Sequence, residues 1–162
     1  MNQLNIIQPI IEDFLNENQI NYAINEEKDK ERNIIHMGFN LENGIVNTYI
    51  IIHYSIQIVE IFTYLPIQVP EIKRLQVAKL LDMVESNYFF GSLELNHSNG
   101  TVRSKSYFIY DENIISHKTL DLHFSIVNQL ANETFPEIIK ICYTNKEPEI
   151  DILTSLNKIN LN

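Results

Sequence analysis

The sequence predicts an α+β domain: an antiparallel sheet of about five strands with helices packed mainly on one face. Three observations predict it. Apolar residues recur at three- and four-residue intervals near the start, middle and end of the chain, and strictly alternating runs lie between them. Asn43-Gly44 and Asn99-Gly100 separate adjacent alternating runs, and Asn-Gly pairs readily take the backbone angles of a hairpin. The resulting order is helix, three strands, helix, two strands, helix, and a sheet covered on one face by helices would bury the apolar set.

The first helix is expected over residues 3–17, where Ile6, Ile7, Ile10, Ile11, Phe14 and Leu15 share a face. Pro9 removes a backbone donor, so the helix either starts near it or bends. A strand can begin at 22–24, before the mixed-charge segment at 26–32, which suits an exposed turn. Strands follow at 33–40 and 45–53 around Glu42-Asn43-Gly44. A single strand from 45 to 65 would be unusually long, so a turn near His53-Tyr54-Ser55 should precede a strand at 57–65. Its faces alternate Ile58, Glu60, Phe62 and Tyr64 against Val59, Ile61, Thr63 and Leu65. Pro66 and Pro70 should end the sheet contribution and lead into a helix at 71–86, with Val77, Leu80, Leu81 and Val84 on one side. Strands at 91–97 and 101–110 then flank Asn99-Gly100. A final helix at 117–143 carries Leu120, Phe124, Val127, Ala131, Phe135, Ile138 and Cys142 near one stripe, with Pro136 able to bend or divide it. Residues 1–146 read as one domain, and 147–162 as a tail or short helix with Ile150, Leu153 and Leu156.

Composition narrows the function classes. An apolar fraction of 44% is that of a globular chain with a core. A net charge of −9 argues against a nucleic-acid or anionic-membrane footprint, because phosphates repel an acidic surface. Cys142 is the only cysteine, which excludes an internal disulfide and suits a reducing compartment. The amino terminus lacks the pattern of a secretory signal, and no apolar run approaches the roughly 18 residues of a membrane span. Cytoplasmic placement is the expectation.

From Arg74 to Ser106 the chain resembles the YbjN-like family, also described as bacterial sensory transduction regulators. Leu80 and Leu81 fall in the helix, Gly91 enters a strand, Glu94 is the acidic strand residue, and Gly100 and Arg103 form the glycine turn and the basic residue after it. The segment LPIQVP and the helix containing Phe135-Pro136 extend the similarity over residues 5–143. Long Ile-rich strands and an acidic tail depart from the family pattern. The resemblance implies a fold similar to class I type III secretion chaperones, a curved antiparallel sheet with helices against it. Chaperones of that shape dimerise and hold extended segments of a partner. It implies no family-wide enzymatic site.

No spacing points to catalysis, and no metal or cofactor is expected. His36, His53, His97, His117 and His123 are scattered without a ligand pair, so a metal site would need distant segments. Cys142 lies on an apolar stripe and suits burial, while Ser92 and Ser116 lack a nucleophile-elbow context. Glu12-Asp13, Glu26-Glu27 and Asp111-Glu112 are adjacent, so the members of each pair diverge. The four glycines are scattered and make no phosphate loop. Arg103, Lys105 and Tyr107 share one strand face and could meet a carboxylate-bearing protein segment or an RNA backbone, or form an ordinary charged surface. With Tyr49, Phe62 and Tyr64 they make the candidate partner-binding set, in which exposed strand backbone accepts an extended protein partner. The function expected is a non-enzymatic protein-binding or chaperone-like module, able to form a homodimer through a helix face or sheet edge. The alternatives are a structural domain of a larger assembly, or an enzyme or small-ligand protein with a site assembled from distant residues.

Overall fold

A computed structural model of the chain describes residues 6–26, 31–42, 44–110 and 115–144. The tail at 147–162 and the Asp111-Glu112 pair lie outside the described residues, as does Asn43 of the first Asn-Gly pair.

Helix α1 spans Ile7–Glu17 and buries Ile7, Ile11, Phe14 and Leu15 of the face read from the spacing, whereas Ile10 is only partly buried and Ile6, just before the first turn, is exposed. Pro9 sits in its first turn, where a backbone N–H has no intrahelical acceptor, so the proline costs little there. The strands are β1 (Ala23–Glu26), β2 (Arg32–Leu41), β3 (Gly44–His53), β4 (Ile58–Gln68), β5 (Ser92–Leu95) and β6 (Thr101–Ile109). Helix α2 (Arg74–Glu85) follows a short 3-10 turn at Glu71–Lys73, and α3 runs His117–Tyr143 without a break at Pro136. Ser116 caps α3 by accepting the Thr119 N–H at 3.2 Å.

All the strands form one antiparallel sheet in the order β1-β2-β3-β4-β6-β5. It has six strands rather than about five, because the short run after residue 22 pairs with β2 as an edge strand. Pro66 does not end the sheet: β4 continues to Gln68. The ladder to β6 shifts register between Tyr64 and Gln68, and an irregularity of that kind does not need the N–H that proline lacks. Strand β5 is shorter than the expected 91–97. Asn96 pairs with Thr101 instead, its N–H donating to the Thr101 carbonyl at 2.8 Å, so the hairpin loop is the wider 97–100 rather than a tight Asn-Gly turn. Gly100 N–H donates to the Asn96 carbonyl at 2.7 Å inside that loop.

The helices cover one face. Ile35, Ile50 and Ile61 pair across β2, β3 and β4 and are fully buried beneath α1 and the first half of α3. Leu80, Leu81, Val102, Leu130 and Ile138 form a second cluster under α2 and the rest of α3. Small hydroxyl side chains lie between the clusters. Thr48 and Thr63 share a 2.7 Å hydrogen bond, Thr63 donates to Asn128 at 3.4 Å, and Ser104 donates to the Val127 carbonyl at 2.6 Å. Their small volume lets α3 approach the sheet, and the hydroxyls of Thr48, Thr63 and Ser104 each find a partner. Phe135 and Cys142 of the predicted α3 stripe are only partly buried, while Leu130 and Ile141 complete it.

Candidate protein-binding surface

Strand alternation sends Tyr49, Phe62, Tyr64, Arg103, Lys105 and Tyr107 to the face of the sheet opposite the helices. The strand order, with β4 beside β6, makes them neighbours. One cross-strand row runs His36–Tyr49–Phe62–Lys105–Ser92, and the next runs Gly38–Asn47–Tyr64–Arg103–Glu94. Tyr107 lies opposite Glu60 in the row on the other side. All of the predicted set is therefore brought together.

The residues differ in what they can reach. Phe62 is only 6% exposed, although it lies on the helix-free face. Tyr49 stacks on it with ring centroids 5.3 Å apart, Tyr64 meets it edge-on at 5.4 Å, and the Arg103 guanidinium lies 5.0 Å above its ring. His36 extends the stack on Tyr49 at 4.7 Å and bonds Asn47 at 3.1 Å. Phe62 is thus the buried floor of the surface, and Tyr64 and Tyr107 are its exposed members. A groove of about 540 Å³ at the Tyr64 end of this surface is lined by Tyr64, Glu94, Leu95, Asn96, Thr101 and Arg103.

The charges on this face form a chain. Arg103 Nε donates to Glu94 at 2.5 Å, and Lys105 Nζ lies 2.8 Å from Glu60 and 3.6 Å from Glu94. His53 Nε2 lies 3.3 Å from the other Glu60 oxygen. Burial by itself would raise the Glu60 pKa, but Lys105, His53 and Arg103 outweigh it and hold the carboxyl below its ordinary value. Lys105 is held above its ordinary value chiefly by its hydrogen bond to Glu60. A carboxyl with a lowered folded pKa adds stability that is fully present above its unfolded value and is lost as pH falls through the folded value. Glu60→Gln is therefore expected to lower stability at neutral pH and to make the acid side of the stability profile shallower, read by urea titration at a series of pH values.

The motif residues from Arg74 to Ser106 have structural roles. Leu80 and Leu81 are buried, Glu94 faces and binds Arg103, and Gly91 and Gly100 take φ values of +101° and +79° against close neighbours. The remaining histidines are dispersed. His117 pairs with Glu17 at 2.9 Å, and the carbonyl of exposed His97 accepts from Arg74 at 2.7 Å. His123 shares a 2.6 Å hydrogen bond with Ser106, and burial holds its pKa below the usual histidine value. Sequence spacing gave no sign of this pair, because only the packing of α3 on β6 brings the two residues together. Cys142 is partly buried, and that burial raises its thiol pKa against a smaller opposing effect of Lys73.

The edge of β6 supplies a backbone feature. Asn96 bonds the Thr101 carbonyl on the β5 side, and the Tyr110 N–H donates to the Gln57 carbonyl on the β4 side at 2.9 Å. Antiparallel alternation then turns the backbone groups of residues 103, 105, 107 and 109 toward β5. Strand β5 starts opposite Lys105, so the N–H and C=O of Tyr107 and Ile109 face an open edge with no strand beyond them among the described residues. Both side chains are exposed there, Tyr107 by 61% and Ile109 by 74%.

No helix among the described residues is long and apolar enough to cross a membrane. No family model and no curated protein matches the chain. Its fold is shared with solved structures, among them chains of two complexes. A chain of the HopA1–SchA chaperone–effector complex aligns with a TM-score of 0.54 at 11% identity, over 84% of this chain and 98% of that one. A chain of the ExsC–ExsE complex aligns with a TM-score of 0.53 at 7% identity, over 85% of this chain and 97% of that one. The α+β architecture, an antiparallel sheet with helices on one face, is therefore similar to that found in a chaperone–effector assembly.

Proposed function

We propose that this protein is a non-enzymatic, chaperone-like module that holds an extended segment of a protein partner along the open β6 edge and the adjoining helix-free face. The backbone of Tyr107 and Ile109, paired with no strand on its β5 side among the described residues, carries the reading, because only a chain in extended conformation matches a row of strand N–H and C=O groups. Tyr107 supplies a side-chain contact beside it, and Tyr64 and Arg103 line a groove further along the same face. The fold similarity to a chaperone–effector complex and the YbjN-like pattern of Leu80, Leu81, Gly91, Glu94, Gly100 and Arg103 support the same class. The single free cysteine suits work in the cytoplasm.

Capture from lysate of the source cell, followed by intact-complex mass, tests the backbone claim. Ile109→Pro removes an outward N–H without touching the ladder to β4, whereas Ile109→Ala keeps it. The expected result is a defined partner retained by wild type and Ile109→Ala and at least tenfold depleted on Ile109→Pro, with the same fold by circular dichroism. Equal retention on all three would contradict it.

The proposal includes a homodimer through α2. Ile72 is 86% exposed and Leu75 69% exposed, and Met83 lies further along the same side of the helix region. Leu75→Asp is expected to shift a dimer to monomer in sedimentation velocity with little change in melting temperature. An unchanged mass would remove the helix face as the dimer surface.

A further inference from the structure

The β5 edge is closed in a way that β6 is not. Alternation along the β5–β6 ladder turns the backbone groups of Leu93 and Leu95 away from β6, toward the outside of the sheet. The outward N–H of Leu93 is nevertheless satisfied, because the Glu85 carboxylate at the end of α2 accepts it through Oε1. The outward N–H of Leu95, two residues on, has no acceptor among the described residues. A half-buried carboxylate from a different element thus occupies the position where a neighbouring strand would place its carbonyl.

We propose that Glu85 guards this edge and keeps β5 from pairing with the β5 edge of a second copy of the chain. A second copy is the occupant excluded, for two reasons. Identical edges can pair antiparallel about a two-fold axis, in which each Leu93 N–H meets a carbonyl of the partner strand. That arrangement also brings two Glu85 carboxylates together on chains that each carry a net charge of −9. The guard acts by hydrogen-bond occupancy first and by charge second. The inference stands apart from the partner-binding proposal, which uses β6, and its test needs no partner.

Glu85→Ala removes the acceptor, and Glu85→Gln keeps an oxygen that can accept the same N–H while removing the charge. Native mass spectrometry and sedimentation at matched concentration read the outcome. Glu85→Ala is expected to gain a species of twice the wild-type mass, and Glu85→Gln to stay at the wild-type mass. Adding Leu95→Pro to Glu85→Ala, which removes a second outward N–H, should abolish the larger species. No gain in Glu85→Ala, an equal gain in Glu85→Gln, or persistence in the double variant overturns the proposal. If Glu85→Ala does not fold, amide exchange in the wild-type protein decides. Leu93 N–H should exchange roughly tenfold or more slowly than Leu95 N–H, and equal rates overturn the proposal.

Discussion

Replacing Gly100 with alanine is expected to cost about 3 kcal/mol, the sum of a strained backbone and an overpacked contact. Gly100 has φ +79°, a region that residues with a Cβ occupy only at a cost. A Cβ built there would lie 2.2 Å from the Val69 carbonyl oxygen and 3.0 Å from the Val69 nitrogen. Backbone cannot rotate aside as a side chain can. Val69 is also fixed by its own N–H, which donates to the Gly100 carbonyl at 2.8 Å, so this contact ties the hairpin loop to the end of β4. Gly91→Ala makes a useful contrast. Its φ is +101°, but the atoms a Cβ would meet are the side chains of Ile126 at 2.7 Å and Leu130 at 2.9 Å, which can shift. Urea denaturation should rank Gly100→Ala below Gly91→Ala in stability, and the reverse order would mean that the loop yields more readily than the core.

Phe62→Ala should cost about 3 kcal/mol, although Phe62 faces away from every helix. The ring is enclosed by Tyr49, Tyr64 and Arg103, and its removal leaves those groups without a floor. Tyr107→Ala on the same face should cost about 0.5 kcal/mol or less, because that ring is largely in water. The contrast separates residues that build the surface from residues free to touch a partner. Equal losses in urea denaturation would mean that Tyr107 is part of the folded framework, and a negligible loss at Phe62 would mean that the aromatic cluster is loosely held.

Most elements were legible because their apolar period is strong. Ile11, Phe14 and Leu15 mark α1, and Val77, Leu80 and Leu81 mark α2, each by spacing alone. The misses have local causes. Pro66 reads as a terminator, yet it falls in a register shift where no ladder donor is needed. The Asn99-Gly100 pair reads as a turn between strands ending at 97 and starting at 101, but Asn96 and Asn99 each accept a backbone N–H through their side chains and stabilise a wider loop. The shared face of Arg103, Lys105 and Tyr107 follows from alternation, as does that of Phe62 and Tyr64. Their adjacency does not, because it depends on β4 lying beside β6. The open edge at Tyr107 and Ile109 was also hidden, since it exists only because β5 begins opposite Lys105. The Ser106–His123 and Glu85–Leu93 contacts likewise need the folded topology.

Amide hydrogen exchange on the protein alone and on the partner complex recovered from lysate tests the central claim most directly. Pairing of an extended partner segment predicts new protection at the Tyr107 and Ile109 amides, with β1 at the opposite edge unchanged. Protection confined to β1 or to the helices, with Tyr107 and Ile109 exchanging as in the free protein, would contradict it.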